Sequence, residues 1–231
     1  MNVMIHACPQ REYYVSTFLV PALLKSGFKK DEVYVYLDDG LGCLKGYLYS
    51  FDKLVPDDDE DTWHLQDDVL PRNNFYKYHE ALKLFKNDII CGFGNREFYT
   101  KKDFGYAENG AEMFYSFPCI RIPNKIAHKF VTWYDIVARH EVKYQQYIVN
   151  NKFVDYLFKE FVDYYFLGVK GVIFNFKPCL VEHVDEFCSG STVNKARPKP
   201  AKALIFNDDE AFNSLCDWYK NQNVYRHDIQ K

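Results

Sequence analysis

Asp67 and Asp68 stand side by side at the end of the apolar and aromatic run Thr62-Trp63-His64-Leu65-Gln66, with Pro71 three residues further on. Adjacent carboxylates delivered by a buried strand are fixed oxygen donors, the kind that hard divalent cations such as Mg²⁺ and Mn²⁺ prefer. A lone histidine, His183, leaves a second apolar run that begins at Cys179, and a Ser/Gly segment carrying Lys195 and Arg197 lies beyond it. Two carboxylates, an imidazole and a basic loop suit a cation bound to a diphosphate: the metal neutralises charge as it builds on a leaving group, and basic side chains and backbone N–H groups share the load. The set implies a departing nucleoside diphosphate. The plainer readings are that Asp67-Asp68 form a turn and that His183 is a hydrogen-bonded core histidine.

These residues need elements to position them. Asn2 to Cys8 reads as a strand ended by Pro9, Tyr13 to Lys25 has helical spacing closed by Gly27, and Val33 to Leu37 is a β-branched and aromatic strand stopped by Asp38-Asp39-Gly40. Strand, helix, strand is a βαβ unit, which builds a parallel sheet. Phe51 to Val55 is expected to add a third short strand, after an ambiguous stretch from Gly42 to Tyr49. The conspicuous run from Asp57 to Asp61 has nothing apolar to fix it and is read as a solvated loop. Pro71 is expected to stop regular extension after the acidic pair. A helix then follows Asn73 or Asn74 with Phe75, Tyr78, Leu82 and Phe85 on one face, and Ile89 to Phe93 is the next strand.

From Gly94 to Gly110 the composition is that of a long surface loop. Glu112 to Ile122 resumes a β-like pattern, and helices are expected after Pro123 and from Asn151 to Tyr165. Val172 to Phe176 is a strand, and a final helix runs from about Asp208 to Trp218. The fold class expected is therefore α/β: a mixed, mainly parallel sheet flanked by helices, with ligands at the carboxyl ends of the strands. One domain is expected over 1–231, with a nucleotide-binding half (1–93), an acceptor side with the metal histidine (94–188), and a basic loop with the C-terminal helix (189–231).

A formal charge of −3 over 231 residues gives no global basic footprint, which argues against a dedicated DNA-binding module and leaves only local patches for phosphate contacts. Seven cysteines with no CxxC spacing fit reduced, buried thiols better than a disulfide framework or a zinc site. With no signal-like N-terminus and no apolar run near the roughly 18 residues of a membrane span, a cytoplasmic protein is expected. Aromatic residues make up 18% of the chain, enough to fill a core and still wall a sugar or base site.

Pro9-Gln10-Arg11 after the first strand, Leu65-Gln66-Asp67-Asp68-Val69-Leu70-Pro71, and Pro178-Cys179-Leu180-Val181-Glu182-His183-Val184 together resemble small GT-A-fold glycosyltransferases, particularly compact ones of phages and bacteria. The likeness covers residues 3 to about 200. It implies a Mn²⁺- or Mg²⁺-assisted transfer of sugar from a nucleotide sugar, a UDP-sugar first among them, to an acceptor hydroxyl. Asp68 and His183 become metal ligands, with Asp67 a metal or ribose contact, and Pro9 and Arg11 lie by the nucleotide. Asp38 and Asp39 hold ribose or base, while Lys195 and Arg197 clamp the diphosphate.

Where the family's acidic triplet begins with an acid, this chain has Gln66. That leaves weaker metal binding, binding by Asp68 and His183 alone, or no metal as the open arrangements. An inverting enzyme needs a carboxylate base, for which Asp155 is the first candidate, with Asp163 and Glu160 as rivals. Phe114, Tyr115, Phe117 and Trp133 are expected on the acceptor side. A hydroxymethylated pyrimidine in phage DNA, reached with Lys101, Lys102 and the 195–202 tail, and a cell-wall or capsule glycan are the two acceptors considered. A metal-dependent nucleotidyltransferase or phosphohydrolase, or a non-catalytic sugar- or nucleotide-binding protein, would use the same acids.

Overall fold

The computed structural model describes residues 2–85, 88–93, 105–106, 117–151, 154–166, 173–175 and 179–183, with backbone only at 105–106, 173–175 and 182–183. Lys195, Arg197, Lys101, Lys102, Phe114, Tyr115 and the helix expected at 208–218 lie outside these residues.

Among the described residues, seven strands form one mixed sheet in the order β2-β1-β3-β7-β5-β8-β6. The central strand β1 (Val3–Ala7) is parallel to β2 (Val33–Leu37) on one side and to β3 (Asp61–Gln66) on the other. Antiparallel β7 (Cys119–Pro123) then separates β3 from the parallel pair β5 (Ile89–Cys91) and β8 (Ile173–Asn175), and β6 (Gly105–Tyr106) closes the far edge. A second, two-stranded sheet joins β4 (Val69–Pro71) to β9 (Val181–His183). The fold is thus α/β with a mixed sheet and a parallel core.

Both faces of the sheet are covered, which is why β1 is buried at all five positions. Val3, Ile5 and Ala7 join Trp63 and Leu65 in an apolar cluster with α2 (Val20–Ser26) and α4 (Phe75–Leu82). Met4 points the other way, into a cluster with α3 (Cys43–Lys53), α5 (Asn124–Ile136) and α7 (Val154–Phe166). That alternation is the period of two of a strand.

The first helix is irregular for a local reason. The turns Pro9–Arg11 and Glu12–Tyr14 (α1) run into a π-helical stretch, Val15–Leu19, immediately before Pro21 at the start of α2. Proline has no N–H to donate and its ring crowds the preceding turn, so the wider turn sits where the regular ladder would fail. Gly27, at φ +125°, ends the run: its N–H reaches the Leu24 carbonyl and that of Phe28 the Leu23 carbonyl, the double bond pattern of a Schellman cap.

Three sequence expectations change and one holds. Phe51 does not begin a strand but closes α3, where Leu44, Tyr47, Leu48 and Phe51 follow the i, i+3, i+4, i+7 pattern of one buried face. Pro71 ends β4 as expected, at an edge position where a missing N–H leaves no ladder bond unmade. Asp58 and Asp61 are not merely solvated: Asp58 Oδ1 accepts from Asn124 Nδ2 at 2.7 Å, and Asp61 opens β3. Phe117 and Trp133, expected to wall an acceptor site, are 1% and 4% exposed in the core.

Arg121 on β7 was invisible to pattern reading. Its buried guanidinium donates to the carbonyls of Leu82 and Phe85, both at 2.6 Å, and so ties the end of α4 to the sheet. No helix among the described residues is long and apolar enough to cross a membrane.

Candidate functional site

Because β1, β2 and β3 are parallel, their carboxyl ends share one edge, and β1 has neighbours running onward in opposite directions across the sheet. Such a switch point leaves a crevice that ligands use. Here the crevice is a cleft of about 350 Å³ lined by Cys8, Pro9 and Gln10 after β1 and by Asp38, Asp39, Gly40 and Gly42 after β2.

Asp38 shapes this rim. Its N–H binds the Ala7 carbonyl at 2.7 Å, which keeps the two strand ends together. Its carboxylate accepts from the N–H groups of Gly40 and Leu41 through Oδ1 and of Gly42 through Oδ2, at 3.1, 2.7 and 2.8 Å. An aspartate bonding backbone two to four residues on is the standard way to hold such a turn. Asp39 is exposed beside it.

A second residue, missed in the sequence, holds the same loop from a distance. Asn151 adopts a left-handed conformation (φ 49°) after α6 (Gln145–Asn150). Its side chain accepts from the Lys45 N–H at 3.0 Å and donates to the Leu41 carbonyl at 2.5 Å, and its carbonyl accepts from the Leu44 N–H. The start of α3 is therefore capped by a residue about a hundred positions away. Gly42 (φ +79°) lies so close beneath that a Cβ would meet Asn151 Nδ2 at 2.5 Å. Asn151→Ala is expected to cost about 1–3 kcal/mol, from the lost hydrogen bonds and a left-handed alanine. Asn151→Gly, measured beside it by urea unfolding, should recover the backbone share alone.

After β3 the chain turns through Asp67 and Asp68, both buried. Asp67 Oδ1 receives Arg11 Nη1 at 2.6 Å and Oδ2 receives the Cys8 N–H at 2.7 Å. The same Nη1 reaches Asp68 Oδ2 at 2.7 Å. Arg11, read from sequence as a nucleotide contact, is only 3% exposed and sits between the two acids. Burial opposes the guanidinium's charge, but Asp68 and Asp67 outweigh it and raise its pKa. Burial also pushes the Asp67 carboxyl up against the pull of Arg11 and the Cys8 amide. Since a guanidinium cannot give up its proton, the cluster is held as an ion pair. The Cys8 thiol, half-buried next to Asp67, rises to about 11 and is no thiolate nucleophile.

Asp155 belongs to the same neighbourhood. It lies in the first turn of α7 and, after burial, is the largest influence raising the Cys43 thiol to about 12, with Asp38 and Asp67 adding to it. Tyr47, one turn beyond Cys43 on α3, is raised by burial and then by the charges of Cys43, Asp67, Asp68 and Asp155, and its buried hydroxyl has no hydrogen-bond partner among the described residues. Asp163 does not join this group: it is exposed and stands about 12 Å further along the helix at 1.5 Å per residue.

His183 enters through the small sheet. Its backbone pairs with Val69, the residue after Asp68, and the segment before it is pinned by the Leu180 N–H on the Gly92 carbonyl and the Arg72 N–H on the Leu180 carbonyl. Acidic turn and histidine backbone, 115 positions apart in sequence, are thereby neighbours.

The acid pair offers two carboxylates, donors of the right kind for Mg²⁺ or Mn²⁺. Three of their contacts are already made to Arg11 and Cys8, and among the described residues no group of three or more His, Cys, Asp or Glu side chains could hold a metal ion. The donor chemistry fits a hard cation, and in this structure Arg11 supplies the positive charge.

No protein-family model matches the sequence, and no curated protein matches it. Among solved structures, the crystal structure of A197 from STIV is similar, with a TM-score of 0.46 and 11% sequence identity over 79% of this chain and 85% of that chain.

Proposed function

We propose that this chain is a glycosyltransferase of GT-A type, a single domain over 1–231, that moves a sugar from a nucleotide sugar, a UDP-sugar in the first instance, to an acceptor hydroxyl. The observation that carries the reading is the gathering of four acids at the carboxyl ends of three parallel strands: Asp38 and Asp39 line the cleft, and Asp67 and Asp68 lie buried after β3, bonded to the Cys8–Arg11 segment whose Cys8, Pro9 and Gln10 line the same cleft, with the backbone of His183 paired to Val69 just beyond them. Sheet edges of this kind bind nucleotides, and acids there accept from ribose hydroxyls.

In this reading the roles divide by what each side chain has left to offer. Asp38 spends its carboxylate on the rim, so ribose contact falls to Asp39 and to the loop Asp38 shapes. Pro9 and Gln10 wall the nucleotide side. Asp68, with Asp67 and His183, would hold Mn²⁺ or Mg²⁺, which when bound neutralises charge on the departing diphosphate. Arg11, Lys195 and Arg197 serve the same phosphates as donors of charge-assisted hydrogen bonds. Asp155 takes the proton of the acceptor hydroxyl; Asp163, exposed and two turns away, is not cast in that role.

The acceptor is either a hydroxymethylated pyrimidine in phage DNA or a glycan. Binding to duplex DNA that weakens steeply with salt would mark the first. A thermal-shift screen of nucleotide sugars with and without Mn²⁺ tests the donor, because a ligand of the native state raises Tm by mass action. A UDP-sugar is expected to raise it, and slow release of nucleoside diphosphate should accompany binding. Release of monophosphate or pyrophosphate instead would make the chain a nucleotidyltransferase or phosphohydrolase. Asp155→Asn should keep the thermal shift and lose about 10²–10⁴-fold in transfer rate, the usual worth of a general base; unchanged turnover would remove Asp155 from the mechanism.

A further inference from the structure

The acid pair holds a cation that belongs to the chain itself. Arg11 Nη1 lies 2.6 Å from Asp67 Oδ1 and 2.7 Å from Asp68 Oδ2, so one N–H-bearing nitrogen bridges the carboxylates where an oxygen-seeking ion would sit. The remaining Asp67 oxygen is fixed by the Cys8 N–H at 2.7 Å, which sets the carboxylate's direction toward Arg11. The guanidinium is 3% exposed and does not wave in from solvent. It is carried on the Pro9–Arg11 turn, the segment that also lines the cleft through Pro9 and Gln10.

We propose that Arg11 and a divalent cation compete for the Asp67–Asp68 pair: Arg11 is a resident counter-ion that keeps the acid pair closed to metal, and a cation that enters must displace it. Two positive groups do not share one pair of carboxylates at these distances, because their mutual repulsion grows as the dielectric falls with burial. A divalent ion offers the acids more charge than a guanidinium does. It therefore wins when its supply, or a polyanionic ligand in the cleft, favours it. The displaced guanidinium starts from the turn that lines the cleft, within the region where a phosphate would lie. Metal entry and phosphate recognition then become one event, with Arg11 leaving two carboxylates for an anionic ligand.

The proposal rests on the functional reading only in naming a divalent ion, and its test uses no nucleotide or sugar. Mn²⁺ binding to the full chain, followed by the loss of the free-ion electron paramagnetic resonance signal, should be at least tenfold tighter in Arg11→Gln than in the wild type. Adding Asp68→Asn should abolish that gain. Equal affinity in Arg11→Gln and wild type, or a gain that survives Asp68→Asn, overturns the competition whatever the enzyme's substrate proves to be. Removing a buried guanidinium endangers folding, so a second measurement keeps the wild-type sequence. In ¹⁵N-labelled protein the guanidinium N–H signals of Arg11, identified by their loss in Arg11→Lys, should change from a bonded, slowly exchanging set to an averaged one as millimolar Mg²⁺ is added. Signals that persist unchanged through the titration refute it. If instead no nucleotide binds the protein while Mn²⁺ and Arg11 do compete, the functional reading fails and the counter-ion stands.

Discussion

Asp67→Ala is expected to lower the folding free energy by about 3–5 kcal/mol, the usual cost of breaking a buried ion pair from one side. The cost is not the worth of the bond but the state left behind. Arg11 would lose the Asp67 carboxylate while remaining buried, and the Cys8 N–H would lose its acceptor. Against a typical total of roughly 5–15 kcal/mol this removes a large fraction of stability. Asp67→Asn should fall between: an amide oxygen can still accept from Cys8, but the charge opposite Arg11 is gone. Urea unfolding of the three proteins checks the order. A loss under about 1 kcal/mol for Asp67→Ala would mean that the pair is solvated and the site more open than described.

Acid should destabilise the protein well before its ordinary carboxylates titrate. Three histidines are buried in neutral form. His6 Nε2 lies 3.0 Å from His64 Nδ1, and His6 Nδ1 lies 3.5 Å from Ser50 Oγ, whose own hydrogen goes to the Tyr47 carbonyl. With Ser50 committed as that donor, His6 gives Nδ1–H to Ser50 and receives Nδ1–H from His64. The remaining His64 nitrogen is then a bare acceptor, buried and without a partner among the described residues. Protonating it would put a charge into an apolar layer, so burial lowers His64 to about 3, and burial with the neighbouring His64 holds His6 well below the usual range. His79 accepts from Trp63 Nε1 at 3.1 Å, and burial, more than Lys83, lowers it to about 4.

The sign follows from proton counting. Below pH 6.5 the unfolded chain binds protons at these histidines and the folded chain does not, so stability falls as pH falls until the folded values near 3–4 are reached. Each histidine contributes about 1.4 kcal/mol per pH unit in that window, so lowering pH from 6.5 to 5 removes roughly 2 kcal/mol per group. Asp67, whose carboxyl burial raises, works the other way, but it is a single group. Thermal melts between pH 7.5 and 4.5 should show a steep fall in Tm beginning near pH 6.5. A flat Tm down to pH 5 would show that these rings are charged or reached by water in the folded state.

The strands that carry the site were legible because their signals are local. Val33 to Leu37 is β-branched and aromatic before Asp38-Asp39-Gly40, and Thr62 to Gln66 is apolar before its acids, so both read correctly as strands ending in carboxylates. Phe51 misled because a short apolar group reads as strand or helix alike, and only the face it shares with Leu44, Tyr47 and Leu48 across α3 decides between them. Trp133 misled for a related reason: an aromatic ring is equally fit for a sugar platform and a core, and burial settles which. Asn151 gave no signal at all, since a cap supplied from about a hundred residues away leaves no spacing to find.

By itself the sequence determined the α/β class, the position of Asp67 and Asp68 at a strand's end, and the types of atom they could offer, because periodicity and chain breaks are properties of neighbouring residues. Only the tertiary structure decided what those carboxylates face. Their partner, Arg11, lies 56 and 57 positions away, reached because β1 and β3 lie side by side in the sheet. A buried carboxylate must find a positive or hydrogen-bonding partner, and the chain's path rather than its local pattern selects which one.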